Sequence, residues 1–128
     1  MRLTLSDVRE YIASLGIATC VYAGNLDAKK TESIGVYDRT SKSAYTQAVG
    51  SKRGYNTKEI TLLVHWNKSP TESETAAFKV FNTLEAGSAS NIAFIIPKNN
   101  EPVPVGTDSS GIFEYVMDAD FFYTIRKE

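Results

Sequence analysis

His65 is the one histidine of this chain and Cys20 its one cysteine. A histidine-based nucleophilic relay or a several-histidine metal site therefore lacks its central parts, and His65, set in an alternating apolar run, reads as a residue of a sheet. A single thiol makes neither an intramolecular disulfide nor a thiolate cluster. Inside the apolar run 17–23, Cys20 reads as a small buried hydrophobe. Carboxylates are the other groups that could do chemistry. Glu114, Asp118 and Asp120 alternate along one face of a strand pattern, and with Asp108 they could gather a divalent cation. An acidic solvent face produces the same alternation, so the spacing specifies no ion. The run Gly106-Thr107-Asp108-Ser109-Ser110-Gly111 has the glycines of a phosphate cradle without its lysine. It leads into a strand, so no helix N-terminus faces an anion, and a tight turn accounts for it. These residues make no catalytic set, no cofactor-binding motif and no metal centre. The expectation is a protein that is not an enzyme.

Charge is segregated along the chain. Between Arg39 and Lys58 the charged residues are Arg39, Lys42, Lys52, Arg53 and Lys58; between Glu101 and Asp120 they are Glu101, Asp108, Glu114, Asp118 and Asp120. A net charge of −1 and a pI near 5.9 argue against a general nucleic-acid binder. The basic stretch still allows one alternative: a small nucleic-acid- or ligand-binding module in which these cations neutralise phosphates and Tyr45 and Tyr55 stack on bases. The other use of opposite patches is contact between subunits, where unlike surfaces of neighbouring copies meet. On that reading Arg39, Lys42, Lys52, Arg53 and Lys58 of one copy face Asp108, Glu114, Asp118 and Asp120 of the next. The stretch 38–58 is polar, lacks periodicity and exceeds the usual loop of about 12 to 15 residues, which predicts a flexible loop that orders on assembly.

The elements that must position these groups follow from periodicity. From Ile112 to Ile125 the odd positions Phe113, Tyr115, Met117, Ala119, Phe121, Tyr123 and Ile125 are apolar or aromatic, while the even ones include Glu114, Asp118, Asp120 and Thr124. A period of two is a strand with one greasy and one wet face, and this one is long. Leu5, Val8, Ile12 and Leu15 make a short amphipathic helix, with Thr4 or Ser6 as its cap and Gly16 as its stop. Ile17 to Ala23 and Ser33 to Tyr37 read as a hairpin-like pair, with Gly35 marking a bulge or a close approach. Ile60 to Trp66 is a strand. Ser69-Pro70-Thr71-Glu72 opens a helix to about Glu85 through a capping box, burying Ala77, Val80, Phe81 and Leu84. Ile92 to Ile96, nearly all apolar, reads as a central strand ended by Pro97, and the prolines and glycines of 98–111 as an extended loop. The 128 residues, 42% apolar, suffice for one domain. The order predicts an α+β fold: a mainly antiparallel sheet, two helices packed on one face and a long C-terminal strand. No apolar run approaches the roughly 18 residues of a membrane helix, and no signal-peptide core opens the chain, so a cytoplasmic protein or a particle assembled there is expected.

The C-terminal half also resembles a known family. The Ser-Pro-Thr-Glu helix start, the strand Asn91-Ile92-Ala93-Phe94-Ile95-Ile96, the run Pro102-Val103-Pro104-Val105-Gly106-Thr107-Asp108, then Gly111-Ile112-Phe113-Glu114-Tyr115 and a closing aromatic strand are similar to the small minor capsid proteins of tailed bacteriophages. These belong with the tail terminators, also called tail completion or head-to-tail joining proteins. The resemblance covers roughly 60–126. It implies a structural virion protein, assembled in the bacterial host's cytoplasm as a ring homo-oligomer, a hexamer, at the head-proximal end of the tail tube. Such a ring ends tube growth and joins tail to head. The implied partners are further copies of itself, the tail tube protein and the head connector protein, with no membrane, and nucleic acid only as the genome passing through the ring.

Overall fold

Thr4 opens the first helix through a reciprocal cap: its hydroxyl accepts from the Asp7 amide at 3.1 Å and the Asp7 carboxylate accepts from the Thr4 amide at 3.0 Å. The helix, α1, spans Leu5–Ser14 and buries Val8 and Ile12. Leu15 is its C-cap and Gly16 leaves it at a φ of 70°. This is a computed structural model, and it describes residues 3–24, 30–39, 55–85 and 92–124. Six strands and a second helix complete the described elements: β1 Cys20–Ala23, β2 Ser33–Asp38, β3 Tyr55–His65, α2 Pro70–Glu85, β4 Phe94–Pro97, β5 Val103–Thr107 and β6 Phe113–Thr124. They form an α+β fold with a mostly antiparallel sheet, as the periodicity predicts.

The second helix starts where Ser69 and Pro70 place it, with a variation. The Ser69 hydroxyl accepts from the Glu72 amide at 3.3 Å, but the Ser69 amide donates to the Asn67 side chain at 2.9 Å. Asn67 in turn donates to Glu72 at 2.9 Å, so a third side chain is inserted into the expected two-residue box. Ala77, Val80, Phe81 and Leu84 are all buried.

The sheet runs β1-β2-β3-β6-β4, and β5 pairs with β6. Its spine is the antiparallel pair β3 and β6, in register from Tyr55 opposite Thr124 to His65 opposite Glu114. Met117, Ala119, Phe121 and Tyr123 are buried on the face that the helices cover, with Ile60, Leu62 and Val64 beside them. Helix α2 packs on β3, β4 and β6, and α1 on β1 and β2. Phe121 also meets the ring of Tyr11 on α1 edge-on at 6.3 Å, so one residue of the spine touches both halves of the core.

Four expectations are corrected. β1 and β2 are parallel, with Cys20 opposite Ser33 and Ala23 opposite Val36, where a hairpin-like pair was expected. The connection 24–32, at up to about 3.3 Å per residue, can outspan a strand of four residues more than twofold, so the chain can return to the same end before β2 begins. Its exit is fixed by Glu32 at a φ of 55°, whose amide donates to the Trp66 carbonyl at 2.7 Å and whose carbonyl accepts from the Thr19 amide at 2.8 Å. Second, β3 begins at Tyr55, so the end of the stretch 38–58 is sheet; residues 40–54 lie outside the described residues. Third, β4 is an edge strand, not a central one, because β6 is long enough to pair β4 along one part and β5 along another. Fourth, β5 lies where a loop was expected. Pro102 and Pro104 argue against a central strand but are compatible with an edge, and a register shift between Pro104 and Gly106 irregularises the pairing. The space at Gly35 is filled by the Tyr37 ring, since a Cβ there would lie 2.7 Å from Tyr37 Cε2.

Candidate functional site

The even-numbered residues of β6 face away from the helices, and the predicted Glu114, Asp118 and Asp120 sit among them, while Asp108 lies in the turn before the strand. The structure divides these carboxylates into two groups and brings one of the predicted cations to them. At the first group, Asp120 is 1% exposed although it lies on the face of the sheet opposite the two described helices. Its Oδ1 accepts from Arg39 Nη2 at 2.7 Å and its Oδ2 lies 3.3 Å from Lys98 Nζ. Arg39 is aimed by its own backbone, since its amide donates to the Glu59 carbonyl at 2.9 Å just beyond the end of β2. Lys98 is aimed likewise by its amide on the Asp118 carbonyl at 2.8 Å. Asp118 accepts the Thr61 hydroxyl at 2.6 Å, and its amide donates to Asn99 Oδ1 at 2.8 Å. Arg39 Nε, buried and without a hydrogen-bond partner, is 4.0 Å from Asp118 Oδ1. Lys58 pairs with Asp38 at 2.9 Å.

The second group is centred on His65, which is fully buried. Its Nδ1 lies 2.8 Å from Glu114 Oε2, its cross-strand partner, and its Nε2 lies 3.7 Å from Asp108 Oδ2. Asp108 is held by the turn between β5 and β6, where its Oδ1 accepts from the amides of Ser110 at 2.8 Å and Ile112 at 2.9 Å. The Ile112 amide is the largest influence holding the Asp108 carboxyl below its ordinary value, against an opposing desolvation; the Ser110 amide, the His65 ring and the Gly111 amide add to it. Ligand atoms of His65, Asp108 and Glu114 lie within 4.8 Å of one another, so among the described residues these three, and not the four carboxylates of the sequence pattern, are the group that could hold a divalent ion. Their present partners are already sufficient for a buried hydrogen-bonded set tying β3, β6 and the turn together.

Arg39 meets Asp118 and Asp120 within one chain, whereas the expectation placed such contacts between neighbouring copies. Lys42, Lys52 and Arg53 lie outside the described residues. What the sequence reading missed is Lys98, Thr61 and Asn99, which no local pattern marks, and His65, whose partners appear only once the register places Glu114 opposite it. Beside the charged groups the same face carries Phe94 stacked on Phe122 with ring centroids 4.6 Å apart. Ile96, Val103 and Val105 along β4 and β5 are exposed. Among the described residues, concavities lie on α2 around Phe78, between α2 and Trp66, and between α1 and β1. Chemically the face can bind a surface: its charges are largely paired and its apolar residues stand out.

Compared with known protein families, residues 11–125 match the one described as bacteriophage tail terminator protein. The chain belongs to this family. The tail-terminator match runs from within α1 past the end of β6, so it includes both charged groups and the apolar edge. No curated protein matches the sequence. Among solved structures this tail terminator is similar to the gp17 protein of bacteriophage SPP1, at 14% identity over 96% of this chain and 86% of that one, with a TM-score of 0.45. Among the described residues, no helix of this tail terminator is long and apolar enough to cross a membrane.

Proposed function

We propose that this tail terminator acts by assembly and not by catalysis: copies of it form a ring, a hexamer, at the head-proximal end of the tail tube, where the ring ends tube polymerisation and joins tail to head. The observation that carries this reading is the family match over 11–125. The paired charges and the protruding apolar edge support it, since a subunit of a closed ring needs surfaces that recognise neighbours more than a pocket that recognises a substrate. Its partners are further copies, the tail tube protein and the head connector protein, and its place is the virion after assembly in the host cytoplasm. In the ring, Lys42, Lys52 and Arg53 of one subunit reach the acidic region around Glu101 of the next, while Arg39 and Lys58 also hold carboxylates of their own chain.

Purified protein imaged in negative stain and measured by light scattering is expected to show closed rings. Added to polymerising tube subunits, it is expected to shorten the tubes in proportion to its concentration. A monomer at every concentration, together with an unchanged length distribution, rejects the proposal. Reversing Lys52 and Arg53 to Glu is expected to slow ring formation at low salt and to matter little near 1 M, where screening acts within about 3 Å.

A further inference from the structure

His65 is fully buried between two carboxylates that come to it from different elements, one at each ring nitrogen. The register of β3 on β6 sets Glu114 opposite it, with Oε2 2.8 Å from Nδ1. The turn between β5 and β6 sets Asp108 at the far side of the ring, with Oδ2 3.7 Å from Nε2. Asp108 is held in that orientation. Its Oδ1 accepts the Ser110 and Ile112 amides, its own amide donates to the Ile112 carbonyl at 3.0 Å, and its carbonyl accepts from the Gly111 amide at 3.0 Å. Oδ2 is therefore the oxygen aimed at the imidazole.

The two carboxylates have different relations to the ring. At 2.8 Å Glu114 accepts a hydrogen bond from Nδ1, which makes Nδ1 the protonated nitrogen of a neutral imidazole and puts the lone pair on Nε2. A carboxylate holding one ring nitrogen so that the other can bind an ion is the usual support of a metal-ligating histidine. The 3.7 Å from Nε2 to Asp108 Oδ2 is too long for a hydrogen bond and fits two ligands of one ion, which at about 2.1 Å each stand up to about 4.2 Å apart. The side chains of Asp108 and Glu114 are 19% and 20% exposed, which gives an ion a way in. Gly106 is the register partner of Glu114, and among the described residues nothing lies within 4 Å of where its Cβ would stand, which leaves room for water ligands.

We infer that His65 Nε2 and Asp108 Oδ2 bind a divalent transition-metal ion of the zinc class, with Glu114 positioning the imidazole through Nδ1 and water completing the coordination. A nitrogen ligand beside a carboxylate selects this class over magnesium and calcium, which prefer oxygen alone. The ion is structural: it pins the turn that joins β5 to β6 onto β3, and so fixes β5, which among the described strands pairs with β6 alone. The alternating carboxylates of β6 did not specify an ion because the nitrogen joins them only through the register. The inference is independent of the ring.

His65 is the only histidine, so in untagged protein carrying Cys20→Ser, which removes the one thiol, the imidazole nitrogen resonances report this ring alone. Titration with zinc chloride is expected to shift the Nε2 resonance, leave Nδ1 protonated, saturate at one ion per chain and raise the melting temperature. Magnesium and calcium chloride are expected to leave the ring unmoved. Asp108→Asn is expected to abolish the zinc shift, and Glu114→Gln to weaken binding about 10- to 100-fold with the ion still on Nε2. An imidazole that does not respond to excess zinc overturns the inference, and this arm needs no substitution at the site to fold. Zinc bound as tightly by folded Asp108→Asn overturns it too, and an equal response to calcium overturns the choice of ion.

Discussion

Arg39 and Asp120, eighty-one positions apart, meet at 2.7 Å, with the carboxylate 1% exposed and held from its other side by Lys98. Among the described residues, the pair lies on the face of the sheet opposite the two helices. Removing one partner of such a pair leaves the other charge buried, which costs about 3 to 5 kcal/mol. Asp120→Ala is expected to lower stability by that order in urea denaturation. Arg39→Met together with Asp120→Leu should recover much of the loss, because apolar groups of similar volume leave no buried charge orphaned, and Lys98, 42% exposed, stays in water.

Neighbouring aromatic residues on β6 separate the two faces. Phe121 is fully buried, and Phe121→Ala is expected to cost about 3 to 5 kcal/mol. Phe121→Asp should leave no folded protein, since the charge would have no partner in the core. Phe122 stacks on Phe94 on the other face, and Phe122→Ala should cost only about 0.5 to 1.5 kcal/mol for the lost ring contact. Equal effects from the two alanines in thermal melts would contradict the assignment of faces.

Asp108 makes stability depend on pH in the acid range. Its carboxyl titrates below the ordinary 3.8 in the folded chain, so the stability it contributes is present above that value and is lost as pH falls through the lower folded one. Melts of the protein and of Asp108→Asn should differ by a constant amount at neutral pH, and the difference should shrink as pH falls below the ordinary 3.8 and through the lower folded value. A gap that widens in acid would show the opposite sign of shift.

At the first helix, Thr4 satisfies the Asp7 amide and is itself satisfied by the Asp7 carboxylate. Thr4→Ala is expected to cost about 1 kcal/mol, measured as a shifted urea midpoint at constant slope.

Much of this was legible before any coordinates. The alternation of β6, the apolar stripe of α2 and the Thr4 and Ser69 helix starts are local signals, because a helix or strand buries residues at its own period and a cap acts within four residues. The α+β class follows from their order. Direction and position did not follow. That β1 runs parallel to β2 depends on where a connection returns, and nothing in Ile17 to Ala23 encodes it. The strand β5 stayed hidden because its prolines read as breakers, and only its place at an edge makes them compatible with pairing. In Ile92 to Ile96 an apolar run suggested a central strand, whereas the length of β6 left it at the margin. The carboxylates show the same division most plainly. Their alternation predicted a shared face, yet whether Glu114 met an ion, water or His65 was settled by the register of β3 on β6, a relation between residues forty-nine apart. Long-range pairing of charges is a property of distance in space, and a single sequence carries distance only along the chain.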